Sequence, residues 1–172
     1  MKIGILSDIH NNKANLLKAI NLLNNKKVGQ VFFCGDLTLA KTIDNFKALK
    51  APVKAVFGNV DRQDQILTRI KQLKIDFNYP KKNHDIYNLT IDNKKIAMVH
   101  GHDNKILRNI LNNRYDFVFS GHSHQPEIKK INQTIWINPG SICGYMDLDK
   151  KLTKPSLAVL DLKTSKSHIF YL

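Results

Sequence analysis

At 172 residues, 42% apolar and 24% charged, the chain can bury one sizeable core and suits a single domain over 1–172. No apolar run approaches the roughly 20 residues that span a bilayer, and MKIGILSDIH lacks the apolar core and cleavage site of a secretory leader, so a cytoplasmic protein with no membrane partner is expected. The formal charge of +13 comes from 23 Lys and only 4 Arg, scattered beside 18 Asn; Arg-poor chemistry leaves a dedicated nucleic-acid partner unsupported and points to attraction of anionic substrates.

The elements follow in chain order. KIGILS (2–7) reads as a strand, and a helix follows with Asn12 as N-cap and Leu16, Ile20 and Leu23 on one face. VFFC (31–34) is a second strand, a helix covers Leu39 to Leu49, and VKAVF (53–57) is a third strand. Ile66, Ile70 and Leu73 at helical spacing mark the next helix, with Asp61 as its expected N-cap. A polar hairpin-like region at about 75–95 contains an Asp92-Asn93 turn. IAMVH (96–100) is a strand, 103–112 a helix and DFVFS (116–120) another strand. Beyond them EIKKI, TIWIN, SLAVLDL and SHIFYL are short strands joined by turns. The pattern is α/β, with βα units first and a β-rich second half; two sheets packed together and covered by helices accommodate it. Cys34 and Cys143 are too few for a disulfide framework or a thiolate zinc site.

Five apolar strands end alike, in ILSDIH (5–10), FFCGDL (32–37), VFGNVD (56–61), MVHGHD (98–103) and VFSGHSH (118–124). Each delivers Asp, Asn or His to the carboxyl end of a strand, the edge where α/β sheets bind ligands. Asp8 and His10, two apart on a segment read as extended, are expected to point the same way, and His122 and His124 repeat the spacing. Asp36, Asn59 and His100 complete seven N/O donors without a cysteine. Seven exceed one tetrahedral zinc and suit two adjacent ions sharing a carboxylate, with Mn, Fe, Zn, Ni or Co all compatible. A lone D-x-H is weak, and either Asp could cap a helix. Two imidazoles at one strand end are harder to explain by packing, and the ordered combination is specific for a shared metal site.

On these motifs, from SDIHNN to INPGS (137–141), the chain resembles the calcineurin-like metallophosphoesterases, in particular their small single-domain phosphodiesterases. The resemblance implies a four-layer sandwich of two mixed β-sheets packed face to face and flanked by helices. It implies two divalent metal ions, manganese first, with Ni, Fe, Zn or Co as alternatives. Asp8, His10, Asp36 and His124 would hold one ion; Asp36, Asn59, His100 and His122 would hold the other, with Asp36 bridging. Asn59 and His102 are the residues expected to serve catalysis, His102 by contacting substrate phosphate; an exposed loop histidine is an equal reading of His102. The implied activity is hydrolysis of a phosphate ester, a phosphodiester first, by hydroxide formed from a water that the ions share. Relatives often form homodimers or homotetramers. The alternatives are a binding scaffold on the same fold, as in a retromer subunit with a degraded metal site, and a nuclease acting on RNA or DNA.

Two positions depart from the family pattern. Asn11 stands where relatives usually have Gly, although Asn tolerates left-handed backbone. Val60 stands where larger relatives have His and the small phosphodiesterases commonly Cys. Valine can neither donate nor accept a proton, so the leaving group is expected to depart with help only from metal or water.

Overall fold

A computed structural model of the chain describes residues 1–80, 85–145 and 152–172. The elements run β1 (Lys2–Leu6), α1 (Lys13–Asn25), β2 (Gln30–Phe33), a 3-10 stretch (Ala40–Ala48), β3 (Val53–Ala55), α2 (Gln63–Leu73), β4 (Phe77–Asn78), β5 (Ile86–Ile91), β6 (Lys94–Val99), α3 (Asn104–Leu111), β7 (Phe117–Phe119), β8 (Pro126–Ile131), β9 (Thr134–Pro139), β10 (Ser156–Asp161) and β11 (Lys166–Tyr171). Six strands form one sheet in the order β11-β10-β1-β2-β3-β4, and five form the other in the order β5-β6-β7-β9-β8. Both sheets are mixed. β1 through β4 run parallel and β10 lies antiparallel to both of its neighbours, β1 and β11, whereas β6, β7 and β9 run parallel between antiparallel edges β5 and β8. Parallel neighbours collect the carboxyl ends of β1, β2 and β3 on one edge, and those of β6 and β7 likewise.

Strand periodicity decides which side chain enters which layer. Ile3, Ile5, Phe32 and Val56 of the first sheet meet Met98, Phe117, Phe119 and Ile137 of the second in one buried cluster. Phe32 and Phe119 cross edge to face there, with ring centroids 5.2 Å apart. Each such side chain contributes about 1.5–3 kcal/mol on burial, so the inter-sheet cluster holds the layers together while the strand ends carry polar groups. The opposite face of the first sheet, with Leu6, Val31 and Phe33, packs on Leu16, Ile20 and Leu23 of α1 and on Ile43 and Phe46 of the 3-10 stretch. Ala97, Val99 and Val118 pack in the same way on Ile110 and Leu111 of α3. The layers therefore run helix, sheet, sheet, helix, which is the four-layer α/β sandwich that the resemblance implies.

Local expectations hold at several positions. Asn12 caps α1, its Oδ1 accepting from the Asn15 N–H at 3.1 Å. Asp92 and Asn93 both take positive φ, +49° and +60°, and close the β5–β6 hairpin. Residues 81–84 of the hairpin-like region lie outside the described residues. The segment expected as a helix from Leu39 to Leu49 instead forms 3-10 turns over Ala40–Ala48. Thr42 and Ile43 are β-branched, and Asn45 turns its amide back onto the Thr42 carbonyl at 2.9 Å, so the helical ladder meets local competition. The N-cap expected at Asp61 does not form, because α2 starts after Arg62 and has no side-chain cap. Among the described residues, no helix is long and apolar enough to cross a membrane.

Candidate metal centre

The loops after β1, β2, β3, β6 and β7 converge on one spot, and all seven predicted donors meet there in two overlapping groups. In the first, His124 Nε2 lies 3.3 Å from Asp8 Oδ1 and 3.2 Å from His10 Nε2. In the second, His100 Nε2 lies 3.0 Å from Asn59 Oδ1, and the donor atoms of Asp36, His100 and His122 fall within 4.8 Å of one another. Asp36 Oδ2 joins the groups, 3.6 Å from His10 Nε2 and 3.3 Å from His100 Nε2. The other oxygen, Oδ1, accepts the Val60 N–H at 3.2 Å, which turns Oδ2 inward.

Outer contacts fix the imidazoles. His100 Nδ1 lies 2.7 Å from the Cys34 carbonyl and His124 Nδ1 lies 2.5 Å from the Tyr145 carbonyl. A carbonyl only accepts, so each Nδ1 carries a proton and each Nε2 faces the centre, where its lone pair is open to an ion once the second proton has left. His10 Nδ1 rests 3.4 Å from Thr38 Oγ1. Asp8 Oδ1 is buried and accepts no hydrogen bond among the described residues. A fully buried carboxylate oxygen without a donor, facing two imidazole nitrogens, fits a cation. The donor set of imidazole, carboxylate and amide suits a divalent ion. His102 is exposed on the rim, its ring centroid 5.5 Å from that of His100 and 6.2 Å from that of His122.

The way these residues converge differs from the expectation. The two D-x-H-like pairs are not extended: Asp8, His10, Asp36, His122 and His124 all take positive φ, between +42° and +68°. Alternation along a strand therefore does not aim them. His122 and His124 in fact separate, His122 toward Asp36 and His100, His124 toward Asp8 and His10. Asn11 at φ +61° supports the turn as expected, and its Oδ1 also accepts from Leu39 N at 2.9 Å and Thr42 Oγ1 at 3.0 Å.

Several supporting residues carry no local signal. The Asp61 carboxylate accepts backbone N–H groups from Asp36, Leu37, Thr38 and Gly58 at 3.1, 2.7, 2.9 and 2.8 Å. Ser141 Oγ donates to the Asp8 carbonyl at 3.0 Å, and Asn138 Nδ2 donates to the Gly121 carbonyl at 2.9 Å, so the INPGS segment braces two ligand loops. Cys143 is buried with Sγ 3.7 Å from His124 Nδ1, on the side of the ring away from Asp8.

Burial and charge pull against each other throughout the cluster. Burial disfavours a charged imidazole at His124, but Asp8, Cys143 and the Tyr145 carbonyl outweigh it and raise its pKa to about 11. His100 is raised too, with burial overcome by Asp36, Asp8 and the Cys34 carbonyl. Asp36 falls below the usual carboxylate range, because the His100 contact, the Val60 N–H and His10 exceed the cost of burial. His122 is lowered by burial and by His100. Without an ion, the carboxylates hold protons on His100 and His124; a divalent cation would take their place.

The chain matches the calcineurin-like phosphoesterase superfamily domain over residues 1–165. A phosphodiesterase of Methanocaldococcus jannaschii is 33% identical over 162 residues, covering 94% of this chain and 93% of its own length. A solved archaeal phosphodiesterase has a TM-score of 0.88 at 30% identity, with 100% of both chains covered. The E. coli phosphoesterase YfcE shares the fold at a TM-score of 0.71, with 18% identity and 99% of each chain covered. With the Asp, Asn and His side chains of five strand ends gathered around Asp36 and a match along nearly its whole length, the chain belongs to the calcineurin-like phosphoesterase superfamily.

Proposed function

We propose that the protein hydrolyses phosphodiesters with two divalent metal ions, manganese first, held across Asp36. The observation that carries this reading is the place of Asp36 Oδ2, within 3.6 Å of His10 Nε2 and 3.3 Å of His100 Nε2, at the seam of two donor groups. Asp8, His10, Asp36 and His124 would hold one ion; Asp36, Asn59, His100 and His122 would hold the other. When bound, the pair supplies Lewis acidity toward phosphoryl oxygens and lowers the pKa of water for in-line attack.

The chain's own residues orient and exclude. His100 and His124 keep a proton on Nδ1, toward backbone carbonyls, so the proton that an ion would displace is the one on Nε2. Asn59 contributes an uncharged donor, which leaves the centre positive enough to draw in an anion. His102, exposed at the rim beside His100 and His122, would contact a phosphate oxygen of the substrate. Val60 offers no proton, so the departing alkoxide or phenoxide takes its proton from water. The whole chain acts as one domain in this reading, and a homodimer or homotetramer is part of it. Two free, buried cysteines support a reducing compartment such as the cytoplasm.

The test is metal content by mass spectrometry, followed by turnover of bis(p-nitrophenyl) phosphate after chelation and reloading with Mn2+. Activity should vanish on chelation, return with Mn2+, and fall by about 10³-fold or more in Asp36→Asn. Full activity of Asp36→Asn after reloading would sink the reading.

A further inference from the structure

We propose that Asp61 is a positioning residue that shapes the Asp36 loop before any ion arrives; this rests on the reading of Asp36 as the shared ligand. The turn after β2 places Gly35, Asp36 and Thr38 at φ +94°, +62° and +76°. For residues with side chains, such backbone is disfavoured and persists only where surroundings over-determine it. The turn also leaves three successive N–H groups, those of Asp36, Leu37 and Thr38, directed at one point.

The Asp61 carboxylate occupies that point. Its Oδ1 accepts from Leu37 N and Thr38 N at 2.7 and 2.9 Å, and its Oδ2 accepts from Asp36 N and Gly58 N at 3.1 and 2.8 Å. Gly58 belongs to the loop after β3, so one side chain ties the loop of Asp36 to the loop of Asn59. An ionised carboxylate has about four acceptor sites and no donor, which matches four N–H groups; an asparagine would turn two N–H bonds into the same nest. Asp61 is also absent from the groups of donor atoms that gather at the centre. Its oxygens are spent on the backbone, and it acts on the ion only through Asp36 and Asn59.

The experiment combines site-resolved amide exchange with Mn2+ titration calorimetry on the full chain. In the metal-free wild type, the amides of Leu37, Thr38 and Gly58 should already be protected. In Asp61→Asn they should lose that protection while β10 amides exchange as in the wild type, and Mn2+ affinity should drop about 10–100-fold. Unprotected loop amides in the metal-free wild type would mean that the ion organises the loop, and would overturn the proposal even if the variant failed to fold. A folded Asp61→Asn whose Mn2+ affinity drops less than about 10-fold would overturn it as well. Wild-type protein that binds Mn2+ but cleaves no phosphodiester would defeat the proposed activity alone, because exchange and affinity do not depend on turnover.

Discussion

Replacing Gly58 by alanine tests the geometry proposed for the Asp36 carboxylate most directly. A Cβ at this position would stand 1.9 Å from Asp36 Oδ1 and 2.4 Å from Asp36 N, where ordinary contact begins at 3.4 Å. The Asp36 carboxylate would therefore have to retreat by about 1.5 Å. Gly58 has no positive φ, so the penalty is steric and not conformational. Retreat breaks the Asp36 Oδ1 contact with Val60 N and swings Oδ2 away from His10 and His100. Overpacking of this kind costs about 1–3 kcal/mol. At roughly 2–4 °C per kcal/mol for a chain of this size, the melting temperature should fall by about 2–12 °C. A misplacement of about 1 Å can cost 10²-fold in rate, so kcat should drop by at least about that factor. Calorimetric melting, Mn2+ titration and turnover of bis(p-nitrophenyl) phosphate read the three effects. Gly29→Ala is the control, since the one close contact of its Cβ is with the flexible Met1 side chain, at 2.9 Å, the Lys2 carbonyl standing at an ordinary 3.9 Å, and should change stability by no more than about 0.5 kcal/mol. Wild-type Mn2+ affinity and kcat in Gly58→Ala would refute the position assigned to Asp36.

Two further predictions concern protons. In the metal-free protein His124 holds its proton up to about pH 11, against an ordinary value of 6.5. The folded chain thus binds a proton that the unfolded chain has released in this window, so stability falls as pH rises through it. The metal-free melting temperature should be lower at about pH 9 than at about pH 7, with the slope reduced in His124→Asn; an equal slope in the two proteins would contradict the assignment. Val60 is 39% exposed and carries no titratable group, so across a series of aryl phosphodiesters log kcat should fall steeply with leaving-group pKa. Val60→His should flatten that dependence, and a flat line in the wild type would mean that another acid serves the leaving group.

Much of this was legible in the residues themselves. Buried strands such as VFFC and DFVFS stand out because an unbroken apolar run is stable only between two covering layers. The polar residues that end them mark the sheet edge because a carboxylate or imidazole cannot continue into the core. Asn12 and the Asp92-Asn93 turn were readable for a related reason, since both act on backbone within three residues. Tertiary structure decided what depends on distant partners. Left-handed backbone at Asp8 and Asp36 is not a local preference of aspartate; it is held by bonds such as Cys143 N to the Asp8 carbonyl at 3.0 Å and Asp61 Oδ2 to Asp36 N at 3.1 Å. The same distance in sequence hid the true use of Asp61, which looks like a helix cap until the β2 loop folds over it. It also hid the parting of His122 from His124, which a spacing of two residues would keep together. Propensity and periodicity act over one turn or one pleat, whereas the pairing of buried polar groups is settled only when the sheets have packed.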